Sequence, residues 1–279
     1  NKAVISTCNL NQWALDFDGN LKRIIKSIID SKNNKSKLRI GPELELSGYS
    51  CEDHFLELDT YNHCYESLAE ILQLDITNDI ICDIGCPILF NDIRYNCRVI
   101  CLNKKIIYIR PKTDLADDGN YREKRYFSSW SRDQNTMREW IVPDVIKKVT
   151  NQSKVPFGLG ILRTLDCTIA CEICEELWSP NPHHIYYSLL GVNIITNSSG
   201  SHHQLRKLSN RLDLITHSMK KLGGVYMYSN QRGCDGNRLY FDGCSLICLN
   251  GDVISQASQF SLTDVEVITA TIDLSSGTN

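Results

Sequence analysis

The sequence predicts an α/β fold in which mixed β-sheets are covered by helices. Three observations carry this. Strand-like apolar runs alternate with segments of helical spacing along the whole chain. Two-residue turn signals nevertheless recur between neighbouring strands, which a purely parallel, doubly wound sheet would not need. No stretch is rich enough in Pro, Gly or Ser to mark a domain boundary among the 279 residues, and single α/β domains of this size are common.

Residues 4–10 read as the first strand, and Leu21, Ile24, Ile25, Ile28 and Ile29 place a helix over 21–31. A short apolar run at 38–44 contains Gly41-Pro42-Glu43, and 65–74 is helix-like. Residues 79–89 form a buried strand. Strands at 94–102 and 105–110 flank Asn103-Lys104, a hairpin turn, and a polar loop covers 113–124. Residues 158–163 and 167–174 form a second hairpin. A strand at 192–196, a helix at 204–221 and a strand at 225–230 follow. Strands at 238–248 and 252–257 flank Asn250-Gly251, a strong two-residue hairpin signal. Alternating apolar residues at 265–274 give the last strand.

The net charge of -3 gives no reason to expect nucleic acid or an anionic membrane as partner. No apolar run approaches the ~18–20 residues that span a bilayer, and residues 1–6 carry no signal-peptide pattern. The thirteen cysteines are too many, and odd in number, for a short secreted disulfide framework. Cys82 and Cys86, Cys97 and Cys101, and Cys244 and Cys248 are each four apart, which puts each pair on one strand face. They read as small buried hydrophobes of a reduced protein.

Three segments carry chemistry. Cys174 ends the apolar run 167–173 and opens Glu175-Glu176-Leu177-Trp178. A thiol at a strand-to-helix junction is expected to have a lowered pKa, because unpaired N–H groups at a helix start favour the thiolate. Glu43 follows Pro42 at a strand end, where a carboxylate is placed for general-base work. Lys112 follows Arg110-Pro111 at another strand end, where it suits oxyanion stabilisation or pairing with Glu43. Each segment alone also reads as a surface charge or a buried structural cysteine. Together they put an acid, a cation and a thiol at one rim of a sheet. Cys171-x-x-Cys174 as a redox pair is disfavoured because Cys171 lies inside the apolar run. A zinc module built on His183-His184, His202-His203 and the cysteines lacks the second Cys-x-x-Cys half-site that structural zinc needs. A catalytically dead interaction domain would not need all three of Glu43, Lys112 and Cys174.

These segments together resemble the carbon–nitrogen hydrolase (nitrilase) superfamily, and more narrowly the glutaminase domains of eukaryotic-type glutamine-dependent NAD synthetases. Further segments carry the resemblance: Arg94-Tyr95-Asn96-Cys97-Arg98-Val99, Gly119-Asn120-Tyr121-Arg122-Glu123, Thr196-Asn197-Ser198-Ser199-Gly200-Ser201-His202-His203 and Asn230-Gln231-Arg232-Gly233-Cys234-Asp235-Gly236. It runs from Val4 to Leu274. The resemblance implies a nitrilase-like four-layer αββα sandwich, two mixed sheets face to face with helices outside, and a single carbon–nitrogen hydrolase domain over 1–279. It implies Glu43 as general base, Lys112 as the lysine and Cys174 as nucleophile. Glu123 would be the second glutamate ahead of Lys124-Arg125-Tyr126-Phe127, and Tyr49, Glu175, Ser199, Ser201 and Lys207 would lie near bound glutamine. Asp118 stands where bacterial members often carry a substrate-contacting tyrosine, and Tyr121 is the substitute.

The implied reaction is release of ammonia from L-glutamine through a Cys174 thioester, for amidation of nicotinic acid adenine dinucleotide to NAD. A stand-alone amidase or nitrilase acting on another small amide is the alternative. No metal or cofactor is expected for this domain. ATP and Mg belong to a C-terminal synthetase domain, whose Ser-Gly-Gly phosphate loop is absent from this chain. The partners implied are L-glutamine, that synthetase domain and further copies of the chain, in the cytoplasm, with no nucleic acid and no membrane. The four paired histidines are expected to support the loops and not to bind metal, and Trp13 and Trp178 to pack.

Overall fold

A computed structural model describes residues 1–134 and 136–274; the terminal Ser275-Ser276-Gly277-Thr278-Asn279 lies outside the described residues. The first part of the chain forms β1 (Lys2–Leu10), α1 (Phe17–Asn33), β2 (Leu38–Ile40), α2 (Leu58–Gln73), β3 (Ile81–Phe90), β4 (Ile93–Leu102) and β5 (Lys105–Pro111). The middle forms β6 (Arg138–Ile141), α3 (Asp144–Thr150), β7 (Lys154–Phe157), β8 (Ile161–Arg163), β9 (Thr168–Ile173), α4 (His183–Leu189) and β10 (Ile194–Ser199). The last part forms α5 (Lys207–Leu222), β11 (Val225–Cys234), β12 (Tyr240–Asp242), β13 (Leu246–Leu249), β14 (Asp252–Gln256) and β15 (Val265–Asp273).

Helix α1 forms where the apolar spacing demanded it. Leu21, Ile24 and Ile28 are buried on one face, and the Asp16 carboxylate accepts the Gly19 N–H at 3.1 Å to cap the start. Burying each of those side chains stabilises the packed helix by roughly 1.5–3 kcal/mol. The turn Asn103-Lys104 closes the β4–β5 hairpin with both residues at positive φ (50° and 63°), the backbone that matches the twist of its strands.

The strand order is β6-β7-β5-β4-β3-β2-β1-β11-β10-β9-β8, with β15 beside β1 and β13–β14 beside β11. Cores lie on both faces of this array. One cluster joins α1 and α2 to the outer face of β3 and β4 through Ile24, Leu68, Ile84 and Val99. A second joins α4 and α5 to the outer face of β10 and β11 through Tyr187, Ile215, Ile195 and Tyr226. Between them lies a third, in which Ile5, Ile40 and Ile272 meet Ile169, Ile194 and Met227. The layers are therefore helix, sheet, sheet, helix, as expected. One detail differs from two separate sheets. Backbone hydrogen bonding joins them at a parallel seam between β1 and β11, with only Asn9↔Asn230 and Leu10↔Gln231 in register. Side chains extend the seam: Thr7 Oγ1 donates to the Tyr228 carbonyl at 2.8 Å and Ser229 Oγ to the Cys8 carbonyl at 2.7 Å.

The cysteine pattern on β3 and β4 holds. Cys82 pairs with Cys101 and Cys86 with Cys97 across the two strands, all buried as free thiols. The expected strand over 238–248 is corrected: it is two strands, β12 and β13. Gly243 (φ +71°) and Cys244 (φ +55°) break it, and Cys244 therefore does not share a strand face with Cys248. A Cβ on Gly243 would sit 2.8 Å from Asn9 Nδ2, so the break belongs to close packing against the end of β1.

Candidate active site

Strands β1, β2 and β3 run parallel, β4 reverses and β5 reverses again, so β5 points the same way as β2. On the other side of the seam β9, β10 and β11 are parallel to one another and to β1. The C-terminal ends of all these strands therefore share one rim. Glu43 follows β2, Lys112 follows β5, Cys174 follows β9, and Ser199 ends β10. Loops at such a rim are where an α/β scaffold presents its chemistry.

Lys112 is fully buried, and its Nζ donates to Glu43 Oε1 at 2.5 Å and to Glu123 Oε1 and Oε2 at 3.0 and 2.8 Å. Asn96 Nδ2 bridges the two carboxylates at 2.7 Å (Glu43) and 3.0 Å (Glu123). Glu43 also accepts the Gly200 N–H at 3.1 Å, and Glu123 the Ala116 N–H at 2.6 Å. Burial alone would pull the lysine pKa down, but the charges of Glu123 and Glu43 outweigh it and hold Lys112 well above its ordinary value. Burial raises Glu123 against the opposing pull of Lys112. The loop carrying Glu43 is itself clamped. Arg98 donates to the Pro42 and Gly41 carbonyls at 2.7 and 2.8 Å, and Gln231 Nε2 to the Glu43 carbonyl at 3.0 Å.

Cys174 opens a four-residue 3₁₀ turn (Cys174–Leu177) directly after β9, with φ +40°. A non-glycine residue in that region carries strain of order 1–3 kcal/mol and persists only where its surroundings over-determine it. The charges of Glu43, Lys112 and Glu123 all act on its thiol. The expected lowered thiol pKa is corrected. Burial comes first, then the negative charge of Glu43; both push the thiol well up, against the opposing pull of Lys112. A single 3₁₀ turn offers little dipole to offset this.

The sequence profile of the family described as carbon-nitrogen hydrolase matches residues 4–279. The chain belongs to the carbon–nitrogen hydrolase family. Among its relatives, the glutamine-dependent NAD(+) synthetase of Homo sapiens is 55% identical over 273 residues, and that of Saccharomyces cerevisiae 55% over 270. These alignments cover 98% and 97% of this chain but 38% of each relative, so the chain spans under two-fifths of the length of the curated relatives it matches. The crystal structure of a glutamine-dependent NAD(+) synthetase from Cytophaga hutchinsonii superposes with a TM-score of 0.86 at 29% identity, covering 98% of this chain and 43% of that one. An amidase from Nesterenkonia sp. shares the fold (TM-score 0.76, 14% identity, 97% and 90% covered).

Around the Lys112 cluster the remaining expected residues fall into two groups. Tyr49, Tyr121, Glu175 and Lys207 stand beside it. Tyr49 packs edge-on to Tyr121 at 5.6 Å, and burial and then the charges of Glu123, Glu43 and Cys174 push its phenol well up. A Cβ on Gly200 would lie 2.7 Å from the Tyr49 ring, so only glycine lets that loop pass. Tyr121 donates to the Gly200 carbonyl at 3.1 Å and pairs with His202 Nδ1. Lys207 Nζ contacts His202 Nδ1 at 3.2 Å and lies 5.7 Å over the Tyr121 ring. Burial lowers Lys207, partly offset by Cys174. Glu175 is half-buried and raised by burial against Lys112.

Ser199 and Ser201 serve differently. The Ser199 hydroxyl donates to Asn197 Oδ1 at 2.8 Å and its carbonyl accepts the Glu43 N–H at 3.3 Å, so it supports the Glu43 loop. Ser201 is pinned through its backbone to Asn230 (2.8 and 3.1 Å), and its hydroxyl is buried without a partner among the described residues. Asp118 accepts the Asn120 and Tyr121 N–H groups and shapes its own loop.

Of the paired histidines, His184 bonds Glu172 and His183 bonds Thr113 Oγ1 at 2.7 Å. Asp114, Glu176 and His183 offer ligand atoms within 4.8 Å of one another. Arg110, Arg132 and Thr113 already engage them, which leaves that cluster poorly suited to a metal. Trp178 packs under Lys207 at 5.9 Å, whereas Trp13 is 43% exposed. Asn96, Arg98, Glu176 and Gln231 were not anticipated. Asn96, Arg98 and Gln231 lie in segments that carried the resemblance, and Glu176 sits two residues after the thiol, so position relative to the motifs was the available signal.

Proposed function

We propose that this chain is the ammonia-releasing glutaminase part of a longer glutamine-dependent NAD synthetase, acting through a Cys174 thioester. One observation carries the reading: a buried lysine held between two carboxylates, with a buried thiol under the charges of all three. Glutamine's side-chain amide is a poor electrophile with a poor leaving group, so it needs a nucleophile, a proton shuttle and an oxyanion partner together. Glu43 takes the Cys174 proton as sulfur bonds the amide carbon. Lys112 and the Glu175 N–H stabilise the oxygen that gains charge; one such donor is typically worth ~3–4 kcal/mol. Glu43 returns the proton to nitrogen, the C–N bond breaks and ammonia leaves. Water, deprotonated by Glu43, then attacks the thioester; glutamate departs and the thiolate recovers a proton.

Glutamine as substrate is supported by the relatives' names and by the Tyr49 hydroxyl, buried without a partner among the described residues and under the charges of Glu123, Glu43 and Cys174. A polar, charged substrate backbone suits a waiting hydroxyl beside Lys207 and Glu175 better than a plain aliphatic amide does. The whole protein would pass its ammonia to a C-terminal synthetase domain that uses ATP and Mg to amidate nicotinic acid adenine dinucleotide, assemble as a homo-oligomer, and work in the cytoplasm, where its thirteen free thiols would remain reduced. Within this reading, residues 1–279 form one domain. The test is glutamate release from glutamine by the wild type and by Cys174→Ala, beside a panel of other small amides. Loss of release in the variant supports the reading. Hydrolysis of other amides with glutamine ignored would transfer the chain to a stand-alone amidase activity.

A further inference from the structure

We propose that Glu176 is a positioning residue for the nucleophile: its carboxylate fixes the Cys174 turn relative to Lys112. This rests on the reading of Cys174 as nucleophile. The carboxylate spans the two sheets. Its Oε2 accepts the N–H of Ile173, the residue before Cys174, at 2.9 Å. Its Oε1 accepts the N–H of Thr113, the residue after Lys112, at 2.7 Å, together with Thr113 Oγ1 at 3.0 Å and Arg110 Nη1 at 2.5 Å. One side chain thus ties the backbone beside the thiol to the backbone beside the lysine.

The chemistry of the donors explains why a carboxylate stands there. All four partners are N–H or O–H groups, and an ionised carboxylate is the side chain with two oxygens that only accept. A glutamine would turn an NH₂ toward either Ile173 or Thr113, donor against donor. Glu176 is fully buried. Burial alone would raise its pKa, but Arg110, then His183 and these hydrogen bonds hold it at about 2, so it stays ionised. The N–H it holds, that of Ile173, directly precedes the strained residue, Cys174 at φ +40°, which is where an external clamp is needed. Attack geometry is sensitive to displacements of about 1 Å, which cost on the order of 100-fold in rate.

The experiment uses the 279-residue chain, with glutamate release and alkylation of Cys174 by a diazo-ketone glutamine analogue as readouts. Glu176→Gln is compared with the double variant Arg110→Gln/Glu176→Gln, in which no buried charge is left alone. Positioning predicts that kcat and the alkylation rate fall together by about 100-fold in both variants. KM changes less than threefold, and the double variant regains much of the thermal midpoint without regaining rate. Recovery of the rate along with the stability, or a wild-type kcat in Glu176→Gln, would overturn the proposal and leave Glu176 as an ordinary ion-pair partner. If neither variant folds, Thr113→Val decides. It removes one donor to Glu176 and keeps the N–H; a drop of at least fivefold in kcat and alkylation supports positioning, and wild-type rates refute it. If the wild-type chain neither hydrolyses glutamine nor reacts with the analogue, the thioester reading itself has failed, separately from this inference.

Discussion

Lys112 and Cys174 end strands in opposite sheets and are held in opposite ways. Lys112 is fixed through its own head group, by Glu43, Glu123 and the shared Asn96. Cys174 is fixed through its backbone, by a turn that Glu176 pins to β5. The charged half of the site is therefore a self-supporting cluster whose members orient one another, and the reactive half depends on the polypeptide around it. The side chains of Glu43, Glu123 and Lys112 are locked head to head, whereas the position of the thiol is set by the backbone that carries it.

The comparison can be broken most severely at Lys112. Lys112→Met leaves two buried carboxylates facing each other, and glutamate release should fall by at least about 10³-fold while urea unfolding shows a loss of about 3–5 kcal/mol. An unchanged stability would mean that the cluster is not self-supporting. Next in size, Glu43→Gln keeps an oxygen for Asn96 and Lys112 but turns an NH₂ toward the Gly200 N–H and leaves no base. Steady-state kcat should drop about 10²–10⁴-fold, with the thermal midpoint lowered less than in Lys112→Met, which breaks both ion pairs at once. Milder again is Gly200→Ala, whose Cβ would press on the Tyr49 ring. KM for glutamine should rise about tenfold and kcat fall by less than that of Glu43→Gln, since the shifted loop also carries the N–H that holds Glu43.

The smallest effect is on pH-dependent stability. Burial, then the charge of Arg110, pushes His183 from 6.5 down to about 4. A depressed imidazole stabilises the fold fully above pH 6.5, and that contribution drains away as pH falls from 6.5 toward 4. Between pH 7 and 5 the unfolding free energy should drop by about 2 kcal/mol more in the wild type than in His183→Gln, measured by urea titration at each pH.

The convergence of Glu43, Lys112 and Cys174 was readable in sequence because each follows an apolar run. Glu43, Lys112 and Cys174 all mark the point where a buried strand gives way to a polar loop, and the chain places them as that pattern implied. The α1 spacing and the Asn103-Lys104 and Asn250-Gly251 turns were equally plain. Elements of four to seven residues, β6, β7, α3 and α4, were not anticipated, because one or two turns of either period leave no repeat to detect. The strand break at Gly243 was missed for another reason: its cause is Asn9, more than two hundred residues away. The same holds for the thiol. Its raised pKa comes from burial and from Glu43 and Glu123, groups that only the folded chain brings near it, so the local junction pointed in the wrong direction.

The narrow seam between β1 and β11 turns two sheets into one hydrogen-bonded framework. With Asn9↔Asn230 and Leu10↔Gln231 in register, pairing runs unbroken from β2, which precedes Glu43, through β1, β11 and β10 to β9, which precedes Cys174. Gln231, at the join, also grips the Glu43 carbonyl, and the apolar side chains between the sheets pack them together beside that line. Acid and thiol are thus carried on a common chassis, although more than a hundred residues of chain separate them.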